Sequence, residues 1–236
     1  MMKSVYADEK LCCGCSACSN ACPSGAIAMR MDKRGFSYPT IDREKCTDSS
    51  CRNCVAVCPM MTEKRLSAVS DPVLVDSPAG NALAAISDAM LEMGGVVFCS
   101  GPVHATTTSA IYEEAIRALR EGGSVLFIGT PCETAGMRGL MKRKVYPKNL
   151  YTCDTACSGQ DTTLRPSCRT CPFSDDRRSS DISVAGHVEI GEYTPGSRDA
   201  KGASLILVNS AKGQALFEAA KADLPPHRCP AEELSA

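Results

Sequence analysis

Tryptophan is absent from this 236-residue sequence and aromatic residues make up only 5% of it, so any core must rest on Ala, Val, Ile, Leu and Met. Charge offers nothing to a polyanion: 26 Lys and Arg stand against 27 Asp and Glu, a formal net charge of -1. The basic residues are also scattered, which excludes nucleic acid as an expected partner. No apolar run approaches the roughly 20 residues needed to span a bilayer, so no direct membrane insertion is expected. The opening stretch, Met1 to Lys10, is charged and lacks an apolar signal segment, which argues for a reducing cytoplasm and against disulfides. Histidine is scarce, and His104, His187 and His227 lie too far apart in sequence to suggest a role.

Against these absences stand sixteen cysteines, nine of them before Pro59. Cys12, Cys15, Cys18 and Cys22-Pro23 have the spacing C-x2-C-x2-C-x3-C-P, in which three thiolates from one loop grip a cubane iron-sulfur cluster and the fourth ligates another. A second copy follows at Cys46, Cys51, Cys54 and Cys58-Pro59; three of its cysteines lie 36 residues after their counterparts and the first lies 34 after. Two such runs form a two-cluster arrangement with crossed ligands. One 4Fe-4S cluster is assigned to Cys12, Cys15, Cys18 and Cys58, the other to Cys46, Cys51, Cys54 and Cys22. Zinc sites use paired C-x2-C hooks and are disfavoured for these eight. Thr47-Asp48-Ser49-Ser50 puts four residues where the first run has two, which loosens the second loop. Cys13 is an extra thiol whose expected role is packing beside the cluster.

Between the runs, Ala26 to Met31 alternates as a strand, Asp32-Lys33-Arg34-Gly35 has turn chemistry, and Phe36 to Ile41 completes a hairpin. Residues 1–61 thus form an α+β two-cluster ferredoxin-like domain, and 62–78, mixed in charge, Ser and Pro, read as a linker. Residues 79–225 alternate helices and short apolar strands, the pattern of an α/β domain with a mostly parallel sheet. Helices are expected around Leu83 to Met93, Ile111 to Leu119, Met137 to Met141 and Gln214 to Lys221. Val96 to Cys99 reads as a buried strand, followed by strands at Ser124 to Ile128, Leu150 to Cys153, Ile182 to Val184 and Leu205 to Val208. Residues 226–236 read as a frayed tail.

Ligands in open α/β sheets bind beyond the carboxyl ends of the strands. Gly129-Thr130-Pro131-Cys132-Glu133 occupies such a place, with Thr130 as N-cap, Pro131 at the first helical position and Glu133 completing a capping box. Cys132 then sits in the first turn, where the helix dipole favours a thiolate. Gly129 and Thr130 offer backbone donors for a phosphate-bearing ligand. Cys153, Cys157 and the hook Cys168-Arg169-Thr170-Cys171 follow strand ends, enough thiols for a third cluster. Cys153, Cys157, Cys168 and Cys171 could equally form a structural zinc site, and Cys132 alone a redox-reactive thiol. Cys99 and Cys229 read as incidental.

These motifs resemble the beta-subunit family of coenzyme F-420 (deazaflavin) hydrogenases and dehydrogenases, in a shortened form. The matching stretches are the double cysteine run with Gly35-Phe36-Ser37-Tyr38-Pro39 between, Gly94 to Phe98, and Val125 to Cys132. They continue with Leu150 to Asp154, Cys157-Ser158-Gly159, Arg165 to Cys168, Cys171-Pro172-Phe173, Ser180-Asp181-Ile182 and Lys201 to Leu205. The resemblance implies an oxidoreductase that passes electrons between reduced deazaflavin, a bound FAD, iron-sulfur clusters and a catalytic subunit or other redox partner. It implies Cys132, Cys157, Cys168 and Cys171 as ligands of a third 4Fe-4S cluster. Ser77-Pro78-Ala79-Gly80 replaces a Ser-Gly-Gly element, a Gly-Ser-Lys-Tyr stretch is missing between Phe98 and Ile111, and the segment from Gly159 to Leu164 is short. A Gly-Asp pair is also replaced around Ala185-Gly186-His187. FAD is therefore expected to bind weakly, if at all, leaving a non-catalytic electron carrier as the alternative.

Crossed ligation makes a specific prediction. Cys58→Ser should remove the cluster held mainly by Cys12, Cys15 and Cys18, seen as the loss of about four irons with the spectrum of the other cluster retained; loss of only its own run's cluster would refute the crossing.

Overall fold

In the computed structural model, residues 5, 9–46, 50–62, 71–100, 108–142, 147–155, 157, 164–174, 177–186 and 203–226 are described. The three histidines, Cys229, residues 63–70 of the expected linker and 227–236 of the expected tail lie outside them.

The cysteine-rich segment is built from little regular structure. A hairpin of β1 (Ile27–Met31) and β2 (Ser37–Ile41) pairs Ile27 with Ile41 and Met31 with Ser37. Its turn is held by Asp32, whose Oδ1 accepts from the backbone N–H groups of Arg34 (2.8 Å) and Phe36 (2.9 Å). Three single-turn helices carry the cysteine loops: α1 (Ala17–Asn20), α2 (Asn53–Ala56) and α3 (Pro59–Thr62).

The larger part is a six-stranded sheet. Its strands are β3 (Val73–Val75), β4 (Val96–Cys99), β5 (Val125–Gly129), β6 (Leu150–Thr155), β7 (Ile182–Gly186) and β8 (Ser204–Val208), in the order β3-β8-β7-β6-β5-β4. β4 to β7 pair in parallel and β8 is antiparallel to both neighbours, so the sheet is mostly parallel, as the alternation predicts. Two expectations need correction. Val73–Val75 lies in the stretch read as linker, yet it closes the sheet against β8. Val96–Cys99 is an edge strand with Val96 and Cys99 exposed, not a buried one, because among the described residues β5 is its only strand neighbour.

Helices cover both faces of the sheet. β5 shows why: Leu126 and Ile128 pack with α4 (Ala79–Glu92) and α7 (Ala211–Ala220), whereas Val125 and Phe127 pack with α5 (Thr108–Arg120) and α6 (Pro131–Lys142). A strand alternates its side chains between faces, so a central strand must be apolar at every position. Each fully buried Leu or Phe contributes roughly 1.5–3 kcal/mol. Among the described residues no helix is long and apolar enough to cross a membrane.

The α5/α6 face is also where the cysteine-rich segment docks. Cys15, Ala17 and Val57 belong to the same buried cluster as Tyr112, Phe127, Met137 and Leu140, so one core spans both parts of the chain. The approach is close: a Cβ at Gly136 would stand 3.1 Å from Cys15 Sγ, and one at Gly139 only 2.6 Å from the Val57 carbonyl oxygen. Backbone cannot swing aside as a side chain can. Gly139→Ala should therefore cost about 1–3 kcal/mol by overpacking and lower the apparent Tm by roughly 2–10 °C. Gly80→Ala, on α4 with nothing within 4 Å, should be neutral or slightly stabilising; equal thermal shifts in the two variants would refute the contact.

Candidate metal centres

Two left-handed residues shape the first cysteine loop. Gly14 has φ +75° and Ser16 φ +62°, the latter costing about 1–2 kcal/mol for a residue with a Cβ. The curl leaves Cys12, Cys15 and Cys18 buried, and Cys58, from the turn between α2 and α3, is buried with them. These four thiols, with Cys13, Ser16, Val5 and Met29, line a small hollow that opens partly to solvent. The Gly14 N–H donates to Cys12 Sγ at 3.3 Å. Burial pushes Cys18 up to about 12, and the charges of Cys12, Cys58 and Cys54 add to it. Thiols packed this way keep their protons unless metal cations replace them. The donor set therefore fits an iron-sulfur cluster.

Cys22, Cys46, Cys51 and Cys54 are only half-buried. Burial raises Cys54, with the charges of Cys51 and Cys22 adding, while partial burial of Cys22 is outweighed by hydrogen bonds from Ser24 and backbone N–H groups. One of these bonds, from the Ala26 N–H, measures 3.3 Å. The two sets adjoin, since the charge of Cys54 raises both Cys18 and Cys58. Thr47 to Ser49, most of the looser loop, lies outside the described residues.

A third group gathers at the carboxyl ends of β5 and β6. Cys132 opens α6, Cys168 lies in the 3-10 turn Pro166–Thr170 with Cys171 just after it, and Cys157 follows β6. Cys157 is exposed at the surface, yet partial desolvation of its thiol raises it to about 12, with Cys132, Cys171 and Cys168 as its charged neighbours in that order. Cys153 is fully buried and its neighbours are Asp154, Cys99 and Asp181, so it stands apart from the group. Among the described residues no three His, Cys, Asp or Glu side chains close tightly enough to hold a lone metal ion. A cubane, whose thiolates each bind a different iron, takes a wider cage.

Arg165 joins the third group to the first, and the sequence reading missed it although it stands beside the cysteine hook. Its Nε donates to the Cys12 carbonyl at 3.2 Å and its Nη2 to the Ser37 carbonyl at 2.7 Å. Its guanidinium lies 4.5 Å from the centre of the Tyr38 ring and 5.2 Å from that of Phe36. Ser167 Oγ donates to the same Cys12 carbonyl at 2.9 Å. Gly14 is required here, because a Cβ would stand 2.6 Å from Arg165 Nη1. Cys13, read as packing, does pack against the α5/α6 core. Interaction with Cys132 lowers its pKa, but Cys15 and burial raise it further, leaving the thiol well above its ordinary value.

The helix N-terminus at Gly129-Thr130 is capped from within its own turn. Glu133 reaches back as a capping box does: Oε2 accepts from the Thr130 N–H (2.9 Å), Thr130 Oγ1 (2.9 Å) and Ser100 Oγ (2.7 Å), and Oε1 from Thr108 Oγ1 (3.1 Å). The Thr130 hydroxyl donates to the carboxylate, and the Glu133 N–H goes to the Thr130 carbonyl. The donor offered to a flavin pyrophosphate is thus taken by an internal carboxylate. A Cβ at Gly129 would stand 2.7 Å from Ser100 Oγ, so Ser100 closes over it. Cys132 also departs from the dipole argument: the Cys13 hydrogen bond, burial and nearby Cys13 and Glu133 charges raise it well above the ordinary thiol value.

Beneath the third group, Asp154 is buried at the end of β6, where its Oδ2 accepts from Ser180 Oγ and, at 3.1 Å, from Ser183 Oγ. Arg178 Nε lies 3.9 Å from Asp154 Oδ1, and its Nη1 donates to the Phe173 carbonyl, tying the Cys171 turn to β6.

Comparison with known families agrees with the two halves of this geometry. Residues 11–61 match the family model described as 4Fe-4S dicluster domain. Residues 158–225 match the model for the C terminus of the coenzyme F-420 hydrogenase/dehydrogenase beta subunit. No curated protein matches the chain.

Burial pushes Asp154 from 3.8 to about 6 despite its bonds from Ser180 and Ser183 and the Arg178 charge. Between those values the folded state holds more protons than the unfolded chain, so stability falls as pH rises. The full shift is worth about 3 kcal/mol. Relative to Asp154→Asn, the wild type should lose up to about 3 kcal/mol between pH 4 and 7, measured by denaturant titration across that range; a flat difference would refute the shift.

Proposed function

We propose, for a chain that joins a 4Fe-4S dicluster domain to the C-terminal domain of the coenzyme F-420 hydrogenase/dehydrogenase beta-subunit family, that it passes electrons between a flavin or deazaflavin and a redox partner, such as a separate catalytic chain. One 4Fe-4S cluster is held by Cys12, Cys15, Cys18 and Cys58, a second by Cys22, Cys46, Cys51 and Cys54, and a third by Cys132, Cys157, Cys168 and Cys171. Such clusters supply single-electron uptake and release at potentials set by hydrogen bonds, charge and solvent exposure.

The observation that carries this reading is the docking of the first cysteine loop on α6 and on the segment that leads into the Cys168 hook, which brings the cysteine sets together around one core. The half-buried second set stands at one end, suited to exchange with a partner, and the buried first set in the middle. Arg165 and Ser167 fix the spacing between the first and third sets by gripping the Cys12 carbonyl. The occupied N-terminus at Thr130 supports a flavin held elsewhere, on a partner or on other residues, rather than on Gly129 and Thr130. The same observation favours a second reading, an electron carrier with no substrate site of its own. So many thiols free of disulfides suit a reducing cytoplasm.

Anaerobic reconstitution with iron and sulfide tests the assignment. The full chain should hold about twelve irons, and Cys132→Ser should lower that by about four while Cys153→Ser leaves it unchanged. Iron loss in the Cys153 variant alone would reject the ligand set, and zinc in the wild type would reject the third cluster. Stoichiometric FAD retained through gel filtration, but lost on Thr130→Pro, would restore the flavin to the helix N-terminus.

A further inference from the structure

We infer that Arg165, besides docking the two halves of the chain, raises the reduction potential of the cluster assigned to Cys12, Cys15, Cys18 and Cys58, through a buried positive charge that no carboxylate offsets. The inference rests on that ligand assignment and goes beyond it, because Arg165 belongs to none of the cysteine runs and acts by charge alone.

An arginine stays charged in a protein. This one is 4% exposed, and its contacts are with dipoles and ring faces. Nε and Nη2 donate to the carbonyls of Cys12 (3.2 Å) and Ser37 (2.7 Å), and the guanidinium stands 4.5 and 5.2 Å from the centres of the Tyr38 and Phe36 rings. Among the described residues no carboxylate pairs with it. Arg178, beside the third set, differs: Asp154 Oδ1 lies 3.9 Å from its Nε. The Arg165 charge instead faces the first ligand loop, since a Cβ on Gly14, between Cys13 and Cys15, would stand 2.6 Å from Nη1 and 2.9 Å from the guanidinium carbon. The Gly14 N–H in turn donates to Cys12 Sγ at 3.3 Å.

A guanidinium with no counter-charge is costly to bury. Four thiolates around a 4Fe-4S cluster place net negative charge beside it, and one-electron reduction adds another unit there. Attraction between Arg165 and that added charge is stronger than it would be in water, because both lie out of solvent, and it favours the reduced state. Salt screens such a buried interaction poorly. The half-buried set of Cys22, Cys46, Cys51 and Cys54 is open to solvent and ions, and the Arg178 charge beside the third set is offset by Asp154. Arg165 therefore acts selectively, making the first cluster an easier resting place for an electron than its ligands alone would.

The test uses the full chain, reconstituted anaerobically, as wild type, Arg165→Gln, Arg165→Lys and Ser167→Ala; the last removes a hydrogen bond to the same Cys12 carbonyl without changing charge. Iron content is read first, then the potential of each cluster by reductive titration followed by electron paramagnetic resonance. With about twelve irons in every variant, Arg165→Gln should lower the first potential by about 59 mV, a tenfold change in a one-electron reduction equilibrium, and move the other two less. Arg165→Lys and Ser167→Ala should stay near wild type. Raising ionic strength on the wild type should move the Cys46 cluster more than the first. An unmoved first potential in Arg165→Gln would overturn the proposal and leave Arg165 a clamp. Equal falls in Arg165→Gln and Ser167→Ala, or in Arg165→Gln and Arg165→Lys, would overturn it by putting the effect in the hydrogen bonds, and loss of iron from Arg165→Gln by making the residue an anchor of the loop. A wild-type first cluster as sensitive to salt as the second would overturn it without any variant. Cys58→Ser that spares the first cluster would sink the ligand assignment instead, whereas its loss in Cys58→Ser, with a potential that Arg165→Gln does not move, would sink this proposal alone.

Discussion

Thiols gathered in a buried space repel one another as anions and must stay protonated or surrender their protons to metal. Cys12, Cys15, Cys18 and Cys58 are in that position: each is at least nine-tenths buried, and the charges of neighbouring cysteines add to the burial at Cys15, Cys18 and Cys58. The segment around them has one two-stranded hairpin and single-turn helices, too little apolar surface to fold on by itself. Metal binding in such a domain is folding free energy. The rest of the chain supplies what the segment lacks, by lending it the α5/α6 face of a conventional sheet.

That docking explains several residues that have no role within either half. Gly136 and Gly139 leave no side chain where the cysteine loops touch α6, and Gly14 leaves none where Arg165 crosses. Arg165 is 4% exposed and spends its hydrogen bonds on carbonyls of Cys12 and Ser37, so its charge is stabilised by backbone dipoles and two aromatic faces. The same residue begins the hook that carries Cys168 and Cys171. A single buried guanidinium thus sets how the first and third cysteine groups face each other.

Glu133 gives the α/β domain a different character from the phosphate-binding turn its sequence suggests. A helix N-terminus attracts an anion because its first N–H groups have no partner in the helix. Here a carboxylate from the same turn supplies that anion, with hydroxyls of Ser100, Thr108 and Thr130 around it. The arrangement stabilises the turn that presents Cys132. Buried Asp154 plays a comparable part below, holding the Cys171 turn through Arg178.

Local chemistry made much of this legible in advance. Cysteine spacing marked both ferredoxin runs, Asp32 to Gly35 marked the hairpin turn, and apolar periodicity located α4 to α7 and most of the sheet, because ligand loops, turns and amphipathic faces are set by residues near one another in sequence. Val73–Val75 escaped because three residues carry no period, and only β8, far along the chain, makes them a strand. Val96–Cys99 was apolar enough to read as buried; its place at the sheet edge is decided by strand order. Glu133 was recognised as a cap, but Ser100 and Thr108, which complete its environment, are brought there by the fold. Arg165 looked like filler beside stronger motifs. Its meaning lies in contacts across more than a hundred residues, and those exist only once tertiary packing has set the first cysteine loop against α6 and the Cys168 hook.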